Sequence, residues 1–139
     1  MANSDVAVQV WKQLIGLSHR LMRVGTGHLK QYDITPPQFF ILDKLDEGEE
    51  LIQQDLADRL MVSKGNISQM LKLMEQKGWI KRVPEGASNR ILLTDKAREL
   101  LAILRPAHDA FIHTILAGLS AQDQVQLLEL LQQFEVSLE

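Results

Sequence analysis

Apolar positions in this chain fall at helical spacing over most of its length, with one short alternating interruption. Val10, Leu14, Leu17, Leu21 and Val24 recur at steps of four, three, four and three, which predicts a long first helix over residues 5–30 with a heptad seam. Ser4 is placed to cap its start, and Gly25 and Gly27 loosen its end. A connector over Tyr32–Thr35 leads to Pro36, where Thr35 caps and Pro opens a second helix carrying Phe39, Phe40, Leu42 and Leu45 up to Gly48. Phe39 and Phe40 cannot face the same way, so one is expected in the core and the other beside a cavity.

Two short helical patterns then flank a tight turn. Gln53–Leu60 puts Leu56, Ala57 and Leu60 inward, with Ile52 standing where a capping Ser or Thr is normally found. Met61 and Val62 are expected to make an apolar, buried turn. Ser63 caps the next helix, whose inner face is Ile67, Met70, Leu71 and Met74 and whose end is Gly78. Lys64, Asn66, Ser68, Gln69 and Lys72 are left on the outer side, and the helix start favours a phosphate. This is a helix-turn-helix, whose second helix is shaped for a DNA major groove. Trp79–Val83 and Asn89–Leu93 read as two strands around a turn at Pro84–Ser88. A hairpin there is a wing, and Arg90, with Arg82 second, is its candidate for a minor groove.

Thr94 caps a long helix with Ala97, Leu100, Leu101 and Leu104 and then Phe111, Ile112, Ile115 and Leu116 on its apolar face. Pro106 is expected to kink or interrupt it, and Gly118 to end it. After Ser120, Leu127, Leu131, Phe134 and Leu138 form a second seam. Seams at both ends suit dimerisation through Val10, Leu14, Leu17 and Leu21 together with Leu127, Leu131 and Phe134. The first seam fits packing within its own subunit equally well. The expected fold is mostly α with a small β-wing, as a single domain over 1–139. Its DNA-binding lobe runs from about 36 to 95, and its dimerisation helices cover about 5–30 and 98–138.

Charge sharpens this picture. The chain carries −3 overall, yet the segment from Arg59 to Arg90 holds seven basic and two acidic residues, which makes it +5 and the remainder −8. A local basic zone on an acidic body suits a DNA face. There is no cysteine, which excludes disulfides, Cys-based zinc sites and thiol switches and fits a cytoplasmic protein. The N-terminus lacks a secretory signal, and no uninterrupted apolar run reaches the 18 or more residues of a membrane helix, so no membrane partner is expected.

The order and spacing of Thr35-Pro36-Pro37-Gln38-Phe39, Gln53-Gln54-Asp55-Leu56-Ala57, Val62-Ser63-Lys64-Gly65-Asn66-Ile67-Ser68, Glu75-Gln76-Lys77-Gly78-Trp79-Ile80, Leu93-Thr94-Asp95-Lys96-Ala97 and Leu116-Ala117-Gly118-Leu119-Ser120 resemble the MarR family of winged-helix transcriptional regulators. The resemblance covers essentially the whole chain. It implies a homodimer on a double-stranded, pseudo-palindromic operator, and a response to a small aromatic or anionic ligand. The DNA-reading positions it implies are Ser63, Lys64, Asn66, Ser68, Gln69 and Lys72. Gln69 stands where the family often has Arg, which shifts preference from guanine towards adenine. The family's Asp-x-Arg wing pattern is missing, and the wing is expected to be short.

Other chemistries find little support. His108 and His113 are five apart, about 140° around a helix, so no metal site and no cofactor is expected. No phosphate loop, nucleophile elbow or paired-His motif is present, so catalysis is not expected. The nearest alternative is a winged-helix module for a protein partner, or a ligand sensor without operator binding.

Overall fold

A computed structural model describes residues 5–139. The first compact unit ends at Leu104 and the second spans Arg105–Glu139. The first holds α1 (Val6–Leu29), α2 (Pro36–Asp46), β1 (Leu51–Ile52), α3 (Gln53–Arg59), α4 (Lys64–Gln76), β2 (Ile80–Glu85), β3 (Ser88–Leu93) and the start of α5 (Asp95–Ile115). The second holds the rest of α5 and α6 (Ala121–Val136). The fold is mostly helical with a three-stranded antiparallel sheet ordered β1-β3-β2. The first turns of α5 bury Ala97, Leu101 and Leu104 in the core of the first unit.

Ser4 lies outside the described residues; α1 is capped by Asp5, whose carboxylate accepts from the Ala7 N–H. Thr35 and Gln38 form a reciprocal capping box that starts α2, with Pro36 just inside. Neither phenylalanine is fully buried: both pack on the rim of the core. The Arg59 and Lys44 cations stand 5.3 and 5.6 Å from the centre of the Phe40 ring.

Three helices end in the same backbone motif, in which the second residue past the last turn bonds back across it. The residue that closes the motif is left-handed: Gly48 after α2, Met61 after α3, Gly78 after α4. Gly at 48 and 78 adopts this conformation freely. Met61 does so at a φ of 55° and is 91% exposed. The turn is therefore not buried as the apolar pair Met61-Val62 suggested. A left-handed residue at this position turns its side chain out of the core, and only Val62 packs inward.

The β2–β3 hairpin is tighter than the sequence suggests. Its strands run on to Glu85 and resume at Ser88, leaving only Gly86 and Ala87 in the turn. Gly86, at φ 60°, supplies the left-handed first position of such a turn. Pro84 is accommodated because β2 is an edge strand. The two-residue β1, not expected from sequence, pairs Leu51 with Ile91 and Ile52 with Arg90.

Pro106 does not interrupt α5, which is continuous through it to Ile115. The cost of one lost backbone hydrogen bond is carried by a 21-residue helix. The segment Asp95–Gly118 is long and apolar enough by composition to cross a membrane, which uninterrupted apolar runs alone did not show. Its midpoint carries Arg105 and Asp109, and its first turns belong to the protein core, so the segment reads as a core-anchored helix. In the second unit, Ser120 caps α6 through the Asp123 N–H, and Gln124 closes the preceding turn by donating to the carbonyls of Leu116 and Leu119.

Candidate nucleic-acid interface

The candidate site is built on α4. Ile67, Leu71 and Met74 are essentially inaccessible and lock one side of the helix onto the core. Successive residues turn by 100°, so the opposite side is centred on Gly65, Gln69, Lys72 and Gln76. Lys64, Asn66, Gln69 and Lys72 are exposed there or on its flanks, and Ser68 is half-buried. Ser63 is the N-cap; its hydroxyl oxygen accepts from the Asn66 N–H at 3.1 Å and keeps its own proton free to donate. The outer face thus offers an amide pair, hydroxyls and two ammonium groups, the groups that meet base edges and phosphates.

Sequence reasoning left out Gly65, Leu73 and Gln76, all of which are exposed. The helical projection from Ile67, Leu71 and Met74 was the signal that would have found them. A Cβ at Gly65 would meet only the Ser63 oxygen, at 4.0 Å. The protein's own packing therefore does not require glycine there. What glycine gives is a bare stretch of backbone on the outward face, where a partner can approach closely.

The basic zone is less open than its count of charges. Arg59 pairs with Glu49, Lys77 with Asp33, Arg82 with Glu75, and Arg90 loosely with Glu50 and Glu85. Lys77 also lies 4.6 Å from the Trp79 ring centre and donates to the Asp33 carbonyl. Among the described residues, Lys64, Lys72 and Lys81 are the cations of the zone with no carboxylate within ion-pair distance. Two of these three are on α4.

The two hairpin arginines separate by strand parity. Arg82 is opposite Ile91, on the face that also carries the buried Ile80 and Leu51. Its guanidinium donates twice to Glu75 Oε1 and once to Gln53 Oε1. Arg82, the second candidate for a DNA contact, is thus engaged by Glu75 and Gln53 in the free chain. Arg90 is opposite Val83 and Ile52 on the outer face. Gln53 Oε1 also accepts from Asn89 Nδ2, and Ser88 Oγ accepts from the Gln54 N–H. The start of α3, which has no side-chain cap of its own, is thus satisfied from the hairpin.

The residues expected at a dimer interface stand open in the single chain. On α1, Val10, Leu17 and Leu21 are exposed and Leu14 is half-buried; on α6, Leu127, Leu131 and Phe134 are exposed, and α6 has no buried residue. Among the described residues no cluster of three His, Asp or Glu stands where a metal could be held.

A winged helix-turn-helix with a polar, cation-bearing recognition helix defines the class: a regulator built on a DNA-binding lobe. The sequence pattern of the MarR family matches residues 34–92. The HTH-type transcriptional regulator YkoM of Bacillus subtilis is 31% identical over 106 residues, covering 73% of this chain and 68% of the relative. The chain belongs to the MarR family of transcriptional regulators. Its fold superposes on the regulator BldR of Sulfolobus solfataricus with a TM-score of 0.84 at 20% identity, covering 99% of each chain. It superposes on MepR of S. aureus in a DNA complex with a TM-score of 0.72 at 25% identity, covering 92% of this chain and 96% of that one.

Proposed function

We propose that this protein is a sequence-specific, homodimeric DNA-binding regulator that represses from a pseudo-palindromic operator in the cytoplasm and is released by a small anionic or aromatic ligand. The observation that carries the DNA reading is the outer face of α4. It is exposed, rich in hydrogen-bonding groups, and holds Lys72 without a carboxylate partner, with Lys64, likewise without one, in the first turn of the helix. Gln69, at its centre, is the base reader and pairs in bidentate fashion with adenine. Lys72 is a phosphate contact. The open seams on α1 and α6 support a second copy, which would set two α4 helices about one DNA turn, roughly 34 Å, apart. A cavity of about 360 Å³ in the first unit, walled in part by Lys30, Asp33, Thr35, Gln38 and Lys77, supports a place for a small ligand; Lys77 is already paired with Asp33 there, which leaves Lys30 as the cation for an anionic group.

Selection of bound sequences from random duplexes tests this reading, with affinity followed against salt and a panel of phenolic carboxylates. The expected result is a half-site repeated at one-turn spacing and an affinity that drops steeply with salt. Lys72→Ala should flatten the salt slope by about one unit for every sequence. A salt-independent protein partner captured through α4, with no selected DNA, would replace this reading by a protein-interaction module. An operator affinity unmoved by every compound that binds the protein would remove the ligand-release half.

A further inference from the structure

The geometry points to a seat for one backbone phosphate of the DNA, in which Gln53, Ser88 and Lys64 are the donors. This rests on the DNA-binding reading of α4 and deepens it by adding Gln53 of α3 and Ser88 of β3 to the contact.

A cleft of about 180 Å³ lies where α3, α4 and the hairpin meet. It is smaller than the roughly 300–1,000 Å³ of pockets that take drug-sized ligands, and it has room for a phosphate group. Gln53, Lys64 and Ser88, which line it, are the first residues of α3, α4 and β3. The buried Ala57 and Ile67 give it an apolar wall, against which a charge interaction is screened less than in open water. None of the residues that line it is acidic.

What the polar residues offer there follows from the bonds they already make. Gln53 Oε1 accepts from Asn89 Nδ2 at 3.1 Å and from Arg82 Nη1 at 3.4 Å. A guanidinium only donates, so the Gln53 atom that faces it is the oxygen, and this fixes which way round the amide sits. Both acceptor directions of Oε1 are used, and the two Nε2 protons are what Gln53 presents. Arg82 is itself tied to Glu75 Oε1, so the amide is anchored through to α4. Ser88 Oγ accepts from the Gln54 N–H at 3.2 Å, which leaves its own proton to donate. Lys64 has no carboxylate within ion-pair distance. Three elements thus bring donors and one positive charge to a single cleft. A phosphodiester is their complement, because its two non-bridging oxygens only accept.

A free anion would meet the same donors, but the place of the cleft favours the DNA backbone. Lys64 flanks the outer face of α4, and Ser88 stands at the turn of the hairpin. A strand that passes from the groove holding α4 towards the hairpin crosses the cleft on its way.

The test uses the full-length protein and a duplex selected as above, with single backbone phosphates replaced in turn by uncharged methylphosphonates. In the wild type, neutralising one linkage beside the α4 contact should weaken binding five-fold or more. In Gln53→Ala the same replacement should cost less than two-fold. Gln53→Glu is the sharper variant: it keeps acceptors for Arg82 and Asn89, so thermal melting should match the wild type, but it exchanges the donor for a carboxylate. It should weaken binding to the unmodified duplex ten-fold or more, and bind the duplex neutralised at that linkage within two-fold of the wild type. Lys64→Ala should lower the salt slope by about one unit. A purely structural Gln53 predicts that Gln53→Glu binds every duplex within two-fold of the wild type. That result, or the same methylphosphonate profile in the wild type and Gln53→Ala, would overturn the seat. Should Gln53→Ala fail to fold, Gln53→Glu decides. If the wild type selects no DNA, the reading of α4 fails and the backbone phosphate with it. Inorganic phosphate, titrated while the Gln53 side-chain amide is followed by NMR, then separates the two failures. A saturable shift lost in Gln53→Glu would show a free-anion site in place of a DNA contact, and no shift would overturn the seat altogether.

Discussion

Helices α4 and α6 carry the same kind of apolar repeat and end in different situations. Ile67, Leu71 and Met74 of α4 are sealed inside their own unit, while Leu127, Leu131 and Phe134 of α6 each keep about two-fifths of their surface open. A seam sealed in the chain's own core and a seam left open look alike in sequence, because both need only one apolar stripe. What separates them is whether the unit that holds the helix has surfaces to cover the stripe. For α4 it does: α3 and β2 lie against it. The lesson is that the DNA-binding lobe closes its core within one chain, whereas the ends of the chain do not.

That contrast is tested most severely inside the lobe. Leu71 is fully buried, so Leu71→Ala should cost about 2–5 kcal/mol. Chemical denaturation at several protein concentrations measures it, and the loss should be the same at each. A loss below about 1 kcal/mol would mean that α4 is not locked as described. Leu17→Glu attacks the other side of the contrast. It places a charge in the exposed α1 seam, so helix content by circular dichroism should hold while sedimentation shows the dimer dissociating. A dimer that survives would remove α1 from the interface and return its seam to packing within the subunit.

A second contrast lies within the lobe, between the open α4 face and the self-paired hairpin. Gln69→Ala should cost roughly 1–3 kcal/mol at one position of the operator and relax the preference there, leaving other positions alone. Binding to a panel of single-base operator variants reads this directly. Equal weakening across the panel would make Gln69 a positioning group and leave direct readout to Asn66 and its neighbours.

Much of this architecture was legible in the residues. Caps at Thr35, Ser63, Thr94 and Ser120 sit where side-chain chemistry places them, and α4's inner face follows from period alone. The hairpin was legible as an element but not in its register. Arg82 and Arg90 differ by strand parity, and parity depends on a register fixed by a two-residue turn that sequence had drawn as five residues. The dependence of α3 on Ser88 was hidden for another reason: the bond joins residues 34 positions apart, and no local rule connects them. Ile52 without a cap was the one visible sign that a donor group needed a remote partner. Of the two outcomes expected at Pro106, a kink or an interruption, the interruption does not occur, because helix-breaking is a local cost and a long helix anchored by Ala97, Leu101 and Leu104 absorbs it.

The smallest expected effect concerns Met61, where the turn departs from its two glycine counterparts. A left-handed, non-glycine residue costs on the order of 1 kcal/mol, and a side chain that is 91% exposed returns little by packing. Met61→Gly should therefore stabilise the lobe by about 0.5–1 kcal/mol after allowing for the extra freedom of glycine in the unfolded chain. For a domain of this size that is a rise in Tm of roughly 2–4 °C per kcal/mol, within reach of calorimetry. Gly48→Ala is the mirror experiment: the same motif at φ 92° should be destabilised. If Met61→Gly lowers Tm instead, the Met61 side chain makes a stabilising contact, and the turn belongs with the buried parts of the lobe after all.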